Sequence, residues 1–120
     1  MLDVKVRGIL LNIFKDCERI LDKVSNIDLD SFLDNEDSKE IVCFNLFQIG
    51  ELAKKLDQDF VNEYNKVPWS NIKGMRDIII HSYGSINMKR VYYTATLDIG
   101  PLKDYLETIL NSDAEIKSNI

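Results

Sequence analysis

The chain is short of the groups on which most enzyme chemistry draws. Its 120 residues include one histidine, two cysteines, two prolines and one tryptophan. One His and two widely separated Cys do not give the four-ligand spacing of a zinc site. Cys17 and Cys43 are each flanked by apolar residues in helical patterns, so both read as small core residues in a reducing compartment. No stretch approaches the ~20 apolar residues of a membrane span, and Met1 to Arg7 holds no uninterrupted apolar signal core. A cytoplasmic protein without membrane contact is expected. There is no phosphate-binding Gly-rich loop, dinucleotide fingerprint, His-Glu-x-x-His or serine elbow. Strand-like alternation persists nowhere, and no internal repeat is present.

A further shortage is of positive charge. The formal charge is −5 and the pI about 4.8, which argues against a general nucleic-acid-binding surface. The deficit is uneven, however. Between Lys66 and Arg90 stand Lys66, Lys73, Arg76, Lys89 and Arg90 against Asp77 alone, a local +4 that leaves −9 for the remainder. That asymmetry suggests an anion-handling face on an acidic body.

What is present is helical periodicity. Leu10, Phe14, Cys17, Leu21 and Val24 step by three and four, which predicts a first helix from Leu2 to about Ser25. Asn26 to Glu40 is rich in Asp, Ser and Asn and reads as a mobile connection with at most a turn around Ser31 to Leu33. A second long helix is expected from Asp37 or Ser38 to Leu56. Its apolar residues cover more than one face, implying burial against two helices or against a helix and another subunit. Asp59 to Tyr64 makes a short helical piece broken by Val67-Pro68-Trp69, with Trp69 a plug pinning the loop to the bundle. Ser70 is the expected N-cap of a helix running to His81 or Tyr83, with Gly74 marking a close approach or an irregular start. A last helical region from Asn87 to about Asn111 should be interrupted at Gly100-Pro101. The expected fold is a single all-α domain over residues 1–120, an up-and-down bundle of four or five helices. For a domain this small, self-association is a reasonable expectation.

The chemistry concentrates in Arg76-Asp77-Ile78-Ile79-Ile80-His81-Ser82-Tyr83. At about 100° per residue, Arg76 and His81 lie roughly 140° apart, Asp77 one turn before His81, and Tyr83 near the azimuth of Arg76. His81 is the one side chain that exchanges protons near neutral pH without help. Arg76 is permanently charged, and its planar fork matches phosphate oxygens. The pair suits RNA cleavage without metal: the 2′-hydroxyl attacks phosphorus, His81 moves a proton, and Arg76 stabilises the phosphorane-like charge. Asp77 could orient the imidazole. Taken alone, an Arg and a His five apart on a helix are usually structural or merely exposed. Asn45, Gln48 and Glu51 read as polar interruptions of an apolar helix that could line a cleft.

The run Ile49-Gly50-Glu51-Leu52-Ala53-Lys54-Lys55-Leu56, followed by Val67-Pro68-Trp69, Gly74-Met75-Arg76-Asp77, Ile80-His81 and Tyr83, resembles the HepT-like branch of the HEPN superfamily. The resemblance implies a helical-bundle toxin of a toxin-antitoxin pair, a metal-independent endoribonuclease acting as a homodimer without cofactor. It matches Arg76 and His81 to the family's catalytic pair, Asp77 to the polar residue that often follows the arginine, and Tyr83 to a tyrosine that a partner nucleotidyltransferase antitoxin modifies with AMP. In such a dimer the two motifs face each other across one RNA groove. The competing reading is a non-catalytic binding module that docks a nucleotidyltransferase; a bare structural bundle is the third.

Overall fold

Short polar side chains set the helix boundaries. In the computed structural model, which describes residues 2–81 and 86–118, Asp3 caps the first helix, α1 (Val4–Val24), by accepting from the Lys5 N–H. Asp28 accepts from Ser31 N–H to cap α2 (Leu29–Asp34), and Asn35 accepts from Ser38 N–H to cap α3 (Glu36–Ala53). Asp57 caps α4 (Gln58–Glu63) in the same way. Each such bond satisfies an amide that the helix leaves unpaired, and its loss typically costs about 1 kcal/mol.

These caps correct the expected loop over Asn26 to Glu40. The Asp, Ser and Asn that read as a mobile connection are the start signals of two helices. Between them Phe32 is completely buried, 5.3 Å centroid to centroid from Tyr92, whose hydroxyl donates to the Ile27 carbonyl at 2.7 Å. Burying one phenylalanine contributes roughly 1.5–3 kcal/mol, enough to hold a six-residue helix that would not persist alone.

α5 spans Trp69–His81 and begins one residue before the expected Ser70 cap. The Pro68 carbonyl accepts from Ile72 N–H at 3.1 Å, so Ser70 lies inside the helix. Trp69 is the expected plug: it is buried, and its indole N–H donates to the Tyr64 carbonyl at 3.1 Å. Next come α6 (Met88–Tyr93), a π-helical segment (Thr94–Asp98) and α7 (Ile99–Ser118), joined without a break. The expected interruption at Gly100-Pro101 is absent. Pro101 has no N–H to offer the Leu97 carbonyl four residues earlier, and the irregularity appears upstream as the π turn.

α3 occupies the middle of the bundle, packed by α1 on one side and α5 on the other, while α1 also packs on α7. Two helices therefore account for the two apolar faces of α3. α1 and α3 run antiparallel, since Arg19 and Lys23 near the end of α1 border the same groove as Ile41 and Asn45 near the start of α3. α1 and α7 also oppose each other: the Leu2 N–H and the Arg7 guanidinium both donate to Asp113. The described residues are all helical or connecting, and none of their helices is long and apolar enough to cross a membrane. Cys17 and Cys43 are buried free thiols, and burial pushes the Cys17 thiol up to about 12.

Candidate functional site

The site is built where α5 presses on α3, and a glycine sets the approach. A Cβ at Gly50 would overlap the Cβ of Arg76 and stand 3.2 Å from both its Cγ and the Ile72 carbonyl oxygen. Only hydrogen in place of a side chain permits this contact. Gly74, where the sequence suggested a close approach, faces open space.

Closeness at Gly50 brings Arg76 against the next residue of α3. Its Nε–H donates to Glu51 Oε1, and Nη1 donates to Asp77 Oδ1 at 2.7 Å. The guanidinium carbon lies 5.9 Å from the Phe47 ring centroid, within reach of a cation–π attraction. The carboxylates of Asp77 and then Glu51 hold the Arg76 pKa above its ordinary value. Phe47 thus lies within cation–π reach of the cation, while Glu51 takes Nε and Asp77 takes Nη1. Nη2 takes no partner among the described residues. That free corner is what a planar fork needs to meet an anion's oxygen.

Arg76 and Asp77 are therefore brought together as the sequence suggested, and His81 closes the same helix. Because the helix is unbroken between them, the expected azimuths of Arg76, Asp77 and His81 about its axis apply. The imidazole of His81 and the whole of Tyr83, proposed from the sequence as proton carrier and modification site, lie outside the described residues. Glu51 is the residue that sequence reasoning ranked too low. Its signal was available in the Gly50-Glu51 pair, but the partner stands 25 positions away. Asn45, grouped with it, is buried and spends its amide N–H on the Ile41 carbonyl at 2.8 Å.

An apolar cavity lies elsewhere. About 350 Å³ opens between α5 and the π segment over Ile49, on the Met75 flank of α5, with Leu97 and Tyr105 among the residues at its walls. Met75 and Asp77 diverge by roughly 200° about the helix, so this cavity does not contain the Arg76 cluster.

Comparison with known proteins agrees with the family resemblance. No solved structure matches the chain at a significant level. Two curated relatives, each named "Putative RNase", are 31% and 30% identical to it. The first, from Caldanaerobacter subterraneus subsp. tengcongensis, aligns over 89% of this chain and 96% of its own length. The second, from Methanocaldococcus jannaschii, aligns over 96% of each. A third, "Probable ribonuclease HepT" of Thermococcus cleftensis, is 29% identical over 83% of this chain and 91% of its own. The family model described as ribonuclease HepT-like matches residues 13–109, and the chain belongs to that family.

Proposed function

We propose that this protein is the toxin of a toxin-antitoxin pair, an endoribonuclease that cleaves RNA without a metal ion through Arg76 and His81. The observation that carries the reading is the presentation of Arg76: a cation held at Nε and Nη1 within reach of Phe47, with Nη2 left for a phosphate oxygen, on the helix that ends in His81. Membership of a ribonuclease family supplies the reaction class.

In the reaction, the RNA 2′-oxygen bonds to phosphorus while the bond to the 5′-oxygen breaks. One proton leaves the 2′-hydroxyl and one arrives at the departing oxygen, giving a 2′,3′-cyclic phosphate and a 5′-hydroxyl. Arg76 binds the non-bridging oxygens, where negative charge builds in the transition state. One imidazole per chain is the reason for a homodimer, in which two His81 side chains serve one groove as base and acid. Phe44 on α3 is 63% exposed and Ile80 on α5 is 40% exposed, apolar side chains that such a dimer would cover. Neutralisation would come from a partner nucleotidyltransferase that places AMP on Tyr83, adding negative charge and bulk seven residues beyond Arg76.

The second reading is a non-catalytic module that docks the transferase. It is favoured by one feature: with Glu51 and Asp77 both ionised, the Arg76 cluster carries a net charge of −1, which does not attract RNA. Cleavage of total RNA in EDTA separates the two. Wild type is expected to cleave and leave cyclic-phosphate ends, while Arg76→Ala and His81→Ala, folded and of wild-type oligomeric state, are expected to be inert. Equal products from all three proteins, or none from any, would favour the docking module.

A further inference from the structure

We infer that the Gly50-Glu51 pair of α3 is the positioning device for Arg76. Gly50 sets how closely the arginine's backbone approaches, and Glu51 fixes the rotation of its guanidinium through Nε. The inference rests on the ribonuclease reading for its kinetic consequences but not for its geometry. An unrestrained arginine has four rotatable side-chain bonds, and a phosphate that had to order them would lose affinity in the transition state. Here the stem is pinned before substrate arrives. Its Cβ and Cγ abut the bare backbone of Gly50, its guanidinium plane is near Phe47, and its Nε–H is bound by Glu51 Oε1. Nε–H and one N–H of Nη2 point along the same edge of the planar guanidinium, so a carboxylate held at Nε fixes the plane of the group and with it the direction of the remaining Nη2 N–H.

Asp77 does not share this role. It is the next residue on the same helix and moves with Arg76, so its bond to Nη1 cannot fix the arginine relative to α3. Glu51 alone of the two joins the arginine to a second helix. Its placement also follows from Gly50. Without that close approach, α5 would stand off and the Glu51 side chain would meet a mobile cation rather than a seated one.

The requirement on Glu51 is an acceptor at Oε1 more than a charge. Glu51→Gln keeps the acceptor and removes a negative charge that competes with phosphate. This variant is expected to hold kcat within about threefold of wild type and to lower KM. Glu51→Ala removes the acceptor and is expected to lower kcat at least tenfold with KM changed less than threefold, because the loss falls on orientation in the transition state. A readout independent of cleavage is the Arg76 side-chain Nε–H resonance in a 15N-labelled protein, assigned with Arg76→Lys. It should exchange slowly with water in wild type and Glu51→Gln, and rapidly in Glu51→Ala.

A Glu51→Ala enzyme with undiminished or raised kcat would overturn the inference and mark Glu51 as an inhibitory counter-ion. So would a slow Nε–H signal that persists without Glu51, or a Glu51→Gln variant as impaired as Glu51→Ala. If wild type cleaves nothing, the ribonuclease reading fails by itself, and the Nε–H exchange still decides whether Glu51 seats Arg76.

Discussion

Among the described residues three arginines pair with aspartate or glutamate, and the order of burial within the pairs separates them into two kinds. At Arg7–Asp113 the side chains are 30% and 2% exposed, and at Arg19–Asp16 they are 58% and 1% exposed. The carboxylate is the buried member, and the arginine lies over it from the surface. At Arg76 the order reverses: the cation is 20% exposed, against 38% for Glu51 and 56% for Asp77. In the first kind the arginine offsets a carboxylate that the fold has already taken out of water. In the second, the carboxylates attend a cation that the fold has seated. The first pattern serves stability, since an unpaired buried carboxylate costs several kcal/mol. The second offers little stability, because exposed ion pairs contribute about 0–1 kcal/mol, so its geometry asks for another explanation.

The contrast can be broken at its root by Gly50→Ala. The added methyl must push α5 and α3 apart, at an expected cost of about 2–3 kcal/mol in urea unfolding, together with loss of cleavage because Arg76 is displaced. An unchanged unfolding midpoint would mean that the two helices slide past the methyl freely. Next in size is an exchange of phenotypes between Arg7 and Arg76. Arg7→Ala removes one partner of buried Asp113 and is expected to cost about 1–2 kcal/mol while cleavage is retained. Arg76→Ala is expected to abolish cleavage and to leave the unfolding midpoint almost where it was. Similar stability losses in both would erase the distinction between the two kinds of pair.

The smallest expected effect sharpens the comparison through pH. Burial raises the Asp16 pKa above its ordinary 3.8, with the Arg19 charge and hydrogen bond pulling the other way. A carboxyl that holds its proton more tightly when folded favours folding at low pH. That contribution is full below the unfolded pKa and is lost as pH rises through the folded pKa. Asp16→Asn removes the titration. Its melting temperature relative to wild type should therefore climb as pH is raised from about 3 to 7; a flat difference would show that Arg19 cancels the burial.

The sequence disclosed the helices better than their boundaries, and the cation better than its seat. The apolar stripes of α1 and α3 and the Arg76-to-His81 segment are local patterns, readable because a helix repeats every 3.6 residues. α2 was misread because the residues that favour loops are also those that cap helices. Only the burial of Phe32 against Tyr92, 60 positions away, decides between the two. Glu51 escaped for a similar reason: nothing near it in sequence says that Arg76 will arrive opposite. Gly50 and Gly74 look alike as letters, and the packing of α5 alone tells them apart.

The π turn at Thr94–Asp98 has a consequence for how the last helix tolerates change. Val91, Ala95 and Ile99 are all buried although spaced by four, and the wider turn keeps them on one line where an ordinary helix would let them drift by about 80° over two steps. The segment therefore stores one surplus residue within an otherwise regular rod, with Leu97 turned 65% to solvent. Losing a residue there would tighten the turn to ordinary pitch. Losing one from the regular stretch beyond it, between Leu102 and Leu106, would swing every later side chain off its seat. The C-terminal rod can thus be shortened at one place by a single codon, and that place borders the apolar cavity rather than the arginine.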